Sequence, residues 1–388
     1  MMAFRSNSHL NFYRAVQRGT ASYTTRAGSG LSLYGHRDFD DYVGFTHNLP
    51  KKLLTRTKGN RVKRRVLMFA LIALTLTAAD KSFAQQGPKV ARLGRLAPLS
   101  AATDTRYREA LLRGLREFGW SEGKNLEIEY RYADGQLSKL PALAADLARR
   151  QVDLMVVGST PGAFAAKQAT STIPIVMVTT GDPVVNGLVK SLARPGGNVT
   201  GMTSLAQELG AKRLELFRET FPTASLVAIL ANPDAPDTRQ SVLGVENAAR
   251  NLGIKVRLLP ARDVAAIGNA FAILKKDNVK ALMVLQDPMF LTQQKLIVAL
   301  AAKTQIPAIY GIQDFVEAGG LLFYGVDLTD MYRRAASHID KILKGAKPAD
   351  LPIEQPTKFE LVINLKSAKA LAIKIPDSIM LRADKVIE

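Results

Sequence analysis

From residue 89 onward, short runs of β-branched and other apolar residues alternate with longer stretches in which apolar positions recur every three to four residues. That alternation predicts successive strand–helix–strand units around a parallel sheet. Residues 90–96 predict a first strand and 105–118 a helix ending near Gly119. Residues 126–132 alternate apolar and charged side chains as a second strand, and 137–150 supply the next helix. Residues 152–157, apolar except for Asp153, predict a central strand covered on both faces. Gly158-Ser159-Thr160-Pro161 follows at once: hydroxyl caps, then a proline suited to the first helical position. Residues 173–178 predict another buried strand, which leaves through Thr179-Thr180-Gly181-Asp182-Pro183.

A second series begins near residue 226, after a helix predicted over 210–221. Its strands are predicted at 226–230, 256–259, 281–285 and 308–310. Two of them exit through Ala231-Asn232-Pro233 and Gln286-Asp287-Pro288, the same polar-then-proline ending seen in the first series. The chain then recrosses, with a strand at 321–326, a helix at 328–343, a return over 351–362 and a last helix at 365–372. These crossings predict two α/β lobes, residues 88–202 with 327–350 and residues 203–326 with 351–388, whose strand ends face one another across a cleft. A length of 388 residues agrees, since it exceeds the usual size of one hydrophobic core.

The formal charge of +19 suggests nucleic-acid binding until it is divided by position. Residues 1–84 hold 14 Lys/Arg against 4 Asp/Glu, and the remaining excess of +9 is spread over 304 residues. There it lies in mixed-sign company such as Arg213/Glu215/Arg218/Glu219, read as solvated helix surface and not as a basic stripe. Nucleic acid is therefore not an expected partner.

Much of the N-terminal charge belongs to a targeting pattern. Lys58, Arg61, Lys63, Arg64 and Arg65 precede the 14-residue apolar run 66–79 and then Ser82-Phe83-Ala84, the order of a secretory signal with cleavage expected after Ala84. The run is too short for a membrane-spanning helix, which needs about 20 residues. Residues 1–57 lack helical or strand periodicity and are expected to be unstructured, with the true translation start downstream of Met1. The chain has no cysteine, so an exported form would not be a lipoprotein and carries neither disulfides nor thiolate chemistry.

Candidate chemistry is sparse. Downstream of the signal the one histidine is His338, placed in an amphipathic helix and read as a surface residue. No Gly-x-Ser-x-Gly elbow, His pair with metal spacing, GxGxxG or GxxxxGK[ST] occurs, so no catalytic residue, metal or cofactor is expected. What remains are strand-exit polar residues. Ser159, Thr160, Thr180 and Asp182 in the first lobe and Asn232 and Asp287 in the second are candidate ligand contacts. A carboxylate among them can pair with a ligand ammonium while Ser159 and Thr160 receive its carboxylate. Helix capping and turn formation explain the same residues without a ligand. Tyr310 and Tyr324 end strands where they can either stack on a planar ligand or fill core.

Six stretches together resemble the ABC transporter substrate-binding proteins, in the group that includes tryptophan- and tyrosine-binding members. They are Tyr130-Arg131-Tyr132-Ala133-Asp134-Gly135-Gln136, residues 140–147, residues 172–176, Gly181-Asp182-Pro183-Val184, residues 192–201 and residues 355–364. The resemblance covers residues 88–388. It implies a type I periplasmic-binding-protein fold, two flavodoxin-like lobes joined by a three-segment hinge that closes on a small molecule. It also implies partners, a membrane permease and an ATPase, with the membrane met only through the permease. The expected function is capture of a solute, an amino acid or another small molecule, in the periplasm. A periplasmic sensory protein and a secreted α/β hydrolase are the alternatives.

Overall fold

In a computed structural model, residues 90–204, 209–277 and 279–388 are described. The signal pattern and the leader lie outside the described residues.

The first lobe runs β1 (Ala91–Ala97), α1 (Ala101–Glu117), β2 (Leu126–Tyr132), α2 (Leu140–Arg149), β3 (Leu154–Val157), α3 (Thr160–Ala169), β4 (Ile175–Thr180) and β5 (Val199–Thr203). These strands form one sheet in the order β2-β1-β3-β4-β5, every pair parallel. This is the flavodoxin-like order, and its crossovers place helices on both faces. Covered on both sides, β3 is buried at all four positions, which is why its sequence is an apolar run instead of an alternation.

The second lobe begins at α4 (Leu209–Thr220) and continues β6 (Leu226–Ala231), α5 (Thr238–Leu252), β7 (Lys255–Pro260), α6 (Val264–Lys276), β8 (Ala281–Val284), α7 (Pro288–Thr292), α8 (Gln294–Thr304), β9 (Ala308–Tyr310), α9 (Asp314–Glu317) and β10 (Leu322–Gly325). After a crossing, α10 (Leu328–Leu343) packs on α1 and on β3 to β5 of the first lobe. The chain returns to the second lobe as β11 (Glu360–Asn364), α11 (Leu365–Ala370), α12 (Asp377–Met380) and β12 (Lys385–Ile387). Its sheet reads β12-β11-β10-β9-β8-β6-β7. From β7 to β10 the flavodoxin-like order repeats with parallel pairing, and β11 then joins antiparallel to β10.

Three segments therefore cross between lobes: the one after β5, the one between β10 and α10, and residues 351–359. The first and third are stitched together. Met202 bridges Glu354, the Glu354 N–H donates to the Gly201 carbonyl at 2.9 Å, and the Thr203 N–H donates to the Glu354 carbonyl at 3.0 Å. Gly201 holds φ +124°, and a Cβ there would fall 2.1 Å from the Met177 carbonyl oxygen, so only glycine fits against β4 at this point. His338 lies under the third segment, its Nε2 3.0 Å from the Pro352 carbonyl. It is 2% exposed, which corrects the surface reading: α10 turns this face toward the crossing strand, and burial holds the imidazole below its ordinary pKa.

Candidate functional site

The strand exits of both sheets converge on a cavity of about 800 Å³, counted with its open mouth. In the first lobe the chain leaves β3 and enters α3 at Ser159, whose Oγ accepts from the Gly162 N–H at 3.1 Å and caps the helix. The next residue, Thr160, accepts from the Gly181 N–H at 3.0 Å. Both hydroxyls are buried and line the cavity.

In the second lobe Asp287 caps α7, accepting from the Met289 N–H at 2.8 Å, and its other oxygen accepts from Asn232 Nδ2 at 3.2 Å. Asp287 lines the cavity. The Phe290 N–H also donates to it, at 3.4 Å, yet burial outweighs these three donors and pushes its carboxyl up to about 6. Asn232 stands behind it, with its own Oδ1 accepting from the Asp234 N–H at 3.1 Å.

Four side chains that were not among the ligand contacts expected from the sequence complete the walls. Arg213 on α4 is 1% exposed and lines the cavity. Its Nε donates to the Tyr324 carbonyl at 2.7 Å, its Nη2 finds no hydrogen-bond partner, and no carboxylate pairs with it among the described residues. Burial lowers the guanidinium to about 10. The reading of Arg213 as solvated surface is thus corrected: α4 packs its Leu209, Leu214 and Phe217 face inward, and Arg213 lies on that face. Its four-residue spacing from Leu209 and from Phe217 was the available signal.

Asp237 precedes α5 and reaches toward the first lobe, where it accepts from Asn186 Nδ2 at 2.5 Å, from the Thr160 hydroxyl and from the Gly181 N–H. Burial pushes its carboxyl up, against these donors. Tyr107 on α1 and Tyr332 on α10 form an aromatic pair with centroids 5.2 Å apart. The Tyr107 hydroxyl donates to Asp314 at 2.7 Å, and the Arg95 guanidinium lies 4.7 Å from the Tyr332 centroid. Gly158 makes room for this tyrosine: a Cβ there would fall 2.2 Å from the Tyr332 oxygen.

The remaining candidates lie elsewhere. Asp182 accepts from the Val184 and Val185 N–H groups at 2.8 and 3.1 Å, an Asx turn beside the cavity and outside its lining. Thr180 ends β4, and its side chain lies outside the described residues. Tyr310 is buried and stacked on Phe315 at 4.8 Å, and Tyr324 is half-buried against Phe359 at 6.4 Å. Neither ring lines the cavity, because each turns to its own lobe's packing; Tyr324 contributes only its carbonyl, to Arg213.

Among the described residues the cavity thus offers one unpaired cation, a buried and a half-buried carboxylate, two hydroxyls and an aromatic wall, drawn from both lobes. Two flavodoxin-like lobes around such a cavity define a type I periplasmic-binding-protein fold, as the sequence reading expected. The chain belongs to the ABC transporter substrate-binding protein family, whose model matches residues 96–387, and the resemblance read from the six stretches is borne out.

Among curated proteins it is similar to a tyrosine-binding protein of Clostridioides difficile (strain R20291), 27% identical over 264 residues that span 68% of this chain and 76% of the relative. Among solved structures it is similar to an ABC domain from Streptococcus pneumonia in complex with L-Trp, 27% identical with a TM-score of 0.72, covering 76% of this chain and 99% of that one. A ligand-free, open substrate-binding protein with adhesive properties from Clostridium difficile is 25% identical with a TM-score of 0.57, covering 77% and 99%.

Proposed function

We infer that this protein captures a zwitterionic amino acid with a flat apolar side chain and delivers it, unchanged, to an ABC permease. The observation that carries the reading is Arg213, a buried guanidinium in the cavity wall with no carboxylate partner among the described residues. Such a charge is costly to hold alone, and an incoming carboxylate offsets that cost with charge-assisted hydrogen bonds. Asp287, backed by Asn232, takes the ligand ammonium. Ser159 keeps a hydroxyl proton to donate, whereas Thr160 is committed to Asp237, so the carboxylate role moves from the two hydroxyls to Arg213. Tyr107 and Tyr332 present rings to a flat side chain.

One relative is a tyrosine-binding protein and another was solved in complex with L-Trp, which supports this class. At nearly equal identity the chain superposes better on the L-Trp complex than on the open form, which supports a closed arrangement of the lobes. Contacts from both lobes to one ligand favour closure about the three crossing segments, and the closed shape is what a permease and its ATPase recognise. Export to the periplasm follows from the signal pattern at residues 58–84.

Titration calorimetry with L-tryptophan, L-tyrosine, L-leucine and myo-inositol tests the reading. Saturable binding of the aromatic amino acids is expected, and a protein that takes the polyol while ignoring every amino acid would sink it.

A further inference from the structure

Consecutive residues of α1 grip one carboxylate of the opposite lobe. The Tyr107 hydroxyl donates to Asp314 Oδ2 at 2.7 Å, and Arg106 Nη1 lies 3.3 Å from Asp314 Oδ1. Arg106 also reaches Glu317 at 2.7 Å, so the second turn of α1 holds both ends of the short helix α9. Asp314 is 8% exposed and Tyr107 1%, which keeps this bond out of bulk water, where it would count for little.

Tyr107 differs from the other rim contacts in what its ring does. The same side chain lines the ligand cavity and lies 5.2 Å from the ring of Tyr332. A tyrosine has two side-chain torsions and a rigid ring, so the place of its hydroxyl is settled by the place of its ring. Any ligand that presses a flat group against the cavity face of Tyr107 therefore also holds the hydroxyl at Asp314.

We propose that Tyr107 is a specificity-determining residue that converts stacking of a flat ligand side chain into lobe closure through its bond to Asp314. This rests on the amino-acid reading given above and adds how that site discriminates. An aliphatic ligand satisfies Arg213 and Asp287 equally well but leaves the Tyr107 ring less supported, and so gains less from closure.

The test uses Tyr107→Phe, which keeps the ring and removes the donor, and Asp314→Asn, which weakens the acceptor while sparing the cavity wall. In calorimetry, the Kd for L-tryptophan should rise roughly tenfold in either variant and that for L-leucine less than about threefold. The double variant should lose little beyond either single change. Equal weakening of both ligands would overturn the proposal, as would fully additive losses.

A second measurement separates this outcome from failure of the ligand reading. The chain has no cysteine, so single cysteines in place of exposed Val185 and Val264 can carry spin labels without background. In the protein without added ligand, Tyr107→Phe should broaden the interlobe distance distribution toward longer values. If no amino acid binds the wild type, the ligand reading fails, and an unchanged distribution would then overturn the closure role of Tyr107 as well. Thermal melts of both variants check that each is folded.

Discussion

Asn232 Nδ2 donates to Asp287 Oδ2 at 3.2 Å, joining the exits of β6 and β8, strands that pair side by side in the second lobe. The amide supplies a donor to a carboxylate that burial has nonetheless pushed up to about 6, so desolvation wins over three hydrogen bonds. Between about pH 4 and 6 the native protein consequently holds a proton on Asp287 that the unfolded chain, with an ordinary value near 3.8, has already released.

A folded-state value above the unfolded one gives stability that is present below about pH 4 and lost as pH rises through about 6. Asp287→Asn should remove this component, worth on the order of 3 kcal/mol across the window, and flatten that part of the pH–stability curve measured by urea unfolding. Ligand binding has the opposite demand. An ammonium pairs with the ionised form, so amino-acid affinity should fall as pH drops below about 6, and binding should release protons, seen as heats that vary with the buffer's ionisation enthalpy.

Arg213→Met replaces an unpaired buried cation with an apolar side chain of similar length. Stability should be unchanged or higher by about 1 kcal/mol, because the desolvation cost disappears. Affinity for an amino acid should fall by about a hundredfold in calorimetry. A variant that binds as tightly as the wild type would remove Arg213 from the site.

Gly158→Ala puts a methyl 2.2 Å from the Tyr332 oxygen, with Arg95 Nη1 at 3.3 Å behind. The tyrosine must shift, and a loss of about 1–3 kcal/mol in chemical unfolding is expected together with weaker ligand binding. Normal affinity with lowered stability would separate Tyr332 from ligand recognition.

Arg95 and Asp104 form a fully buried ion pair at 2.7 Å beneath that same tyrosine. Asp104→Ala strands the guanidinium and should destabilise by about 3–5 kcal/mol, while the combined Arg95→Met, Asp104→Leu protein should recover most of the loss. Urea midpoints of the three proteins, compared at one pH, decide the matter.

Much of the lobe architecture was legible along the chain. The strand at 126–132 and the helix at 328–343 match the observed elements residue for residue, since period-2 alternation and a strong 3.6-residue period are local signals. The capping at Ser159 was legible too, because a hydroxyl residue shortly before a proline after an apolar run satisfies free helix N–H groups wherever the strand lies, whereas Asp287, read as the start of a turn, caps a short helix.

What one strand of letters leaves open is which face of a helix meets the other lobe. Arg213, with Glu215, Arg218 and Glu219 as neighbours, has the look of a solvated surface in sequence, and only the docking of α4 under Tyr324 buries it. Tyr107 and Tyr332 meet because α10 recrosses to lie on α1, a contact between distant parts of the chain. The sequence by itself determined the strand–helix alternation, the doubled α/β series and the polar strand exits, all of which depend on torsions and periodicity within a few residues. The tertiary structure alone decided which polar groups face the cavity and which charge there lacks a partner, because burial and pairing depend on segments brought together from both lobes.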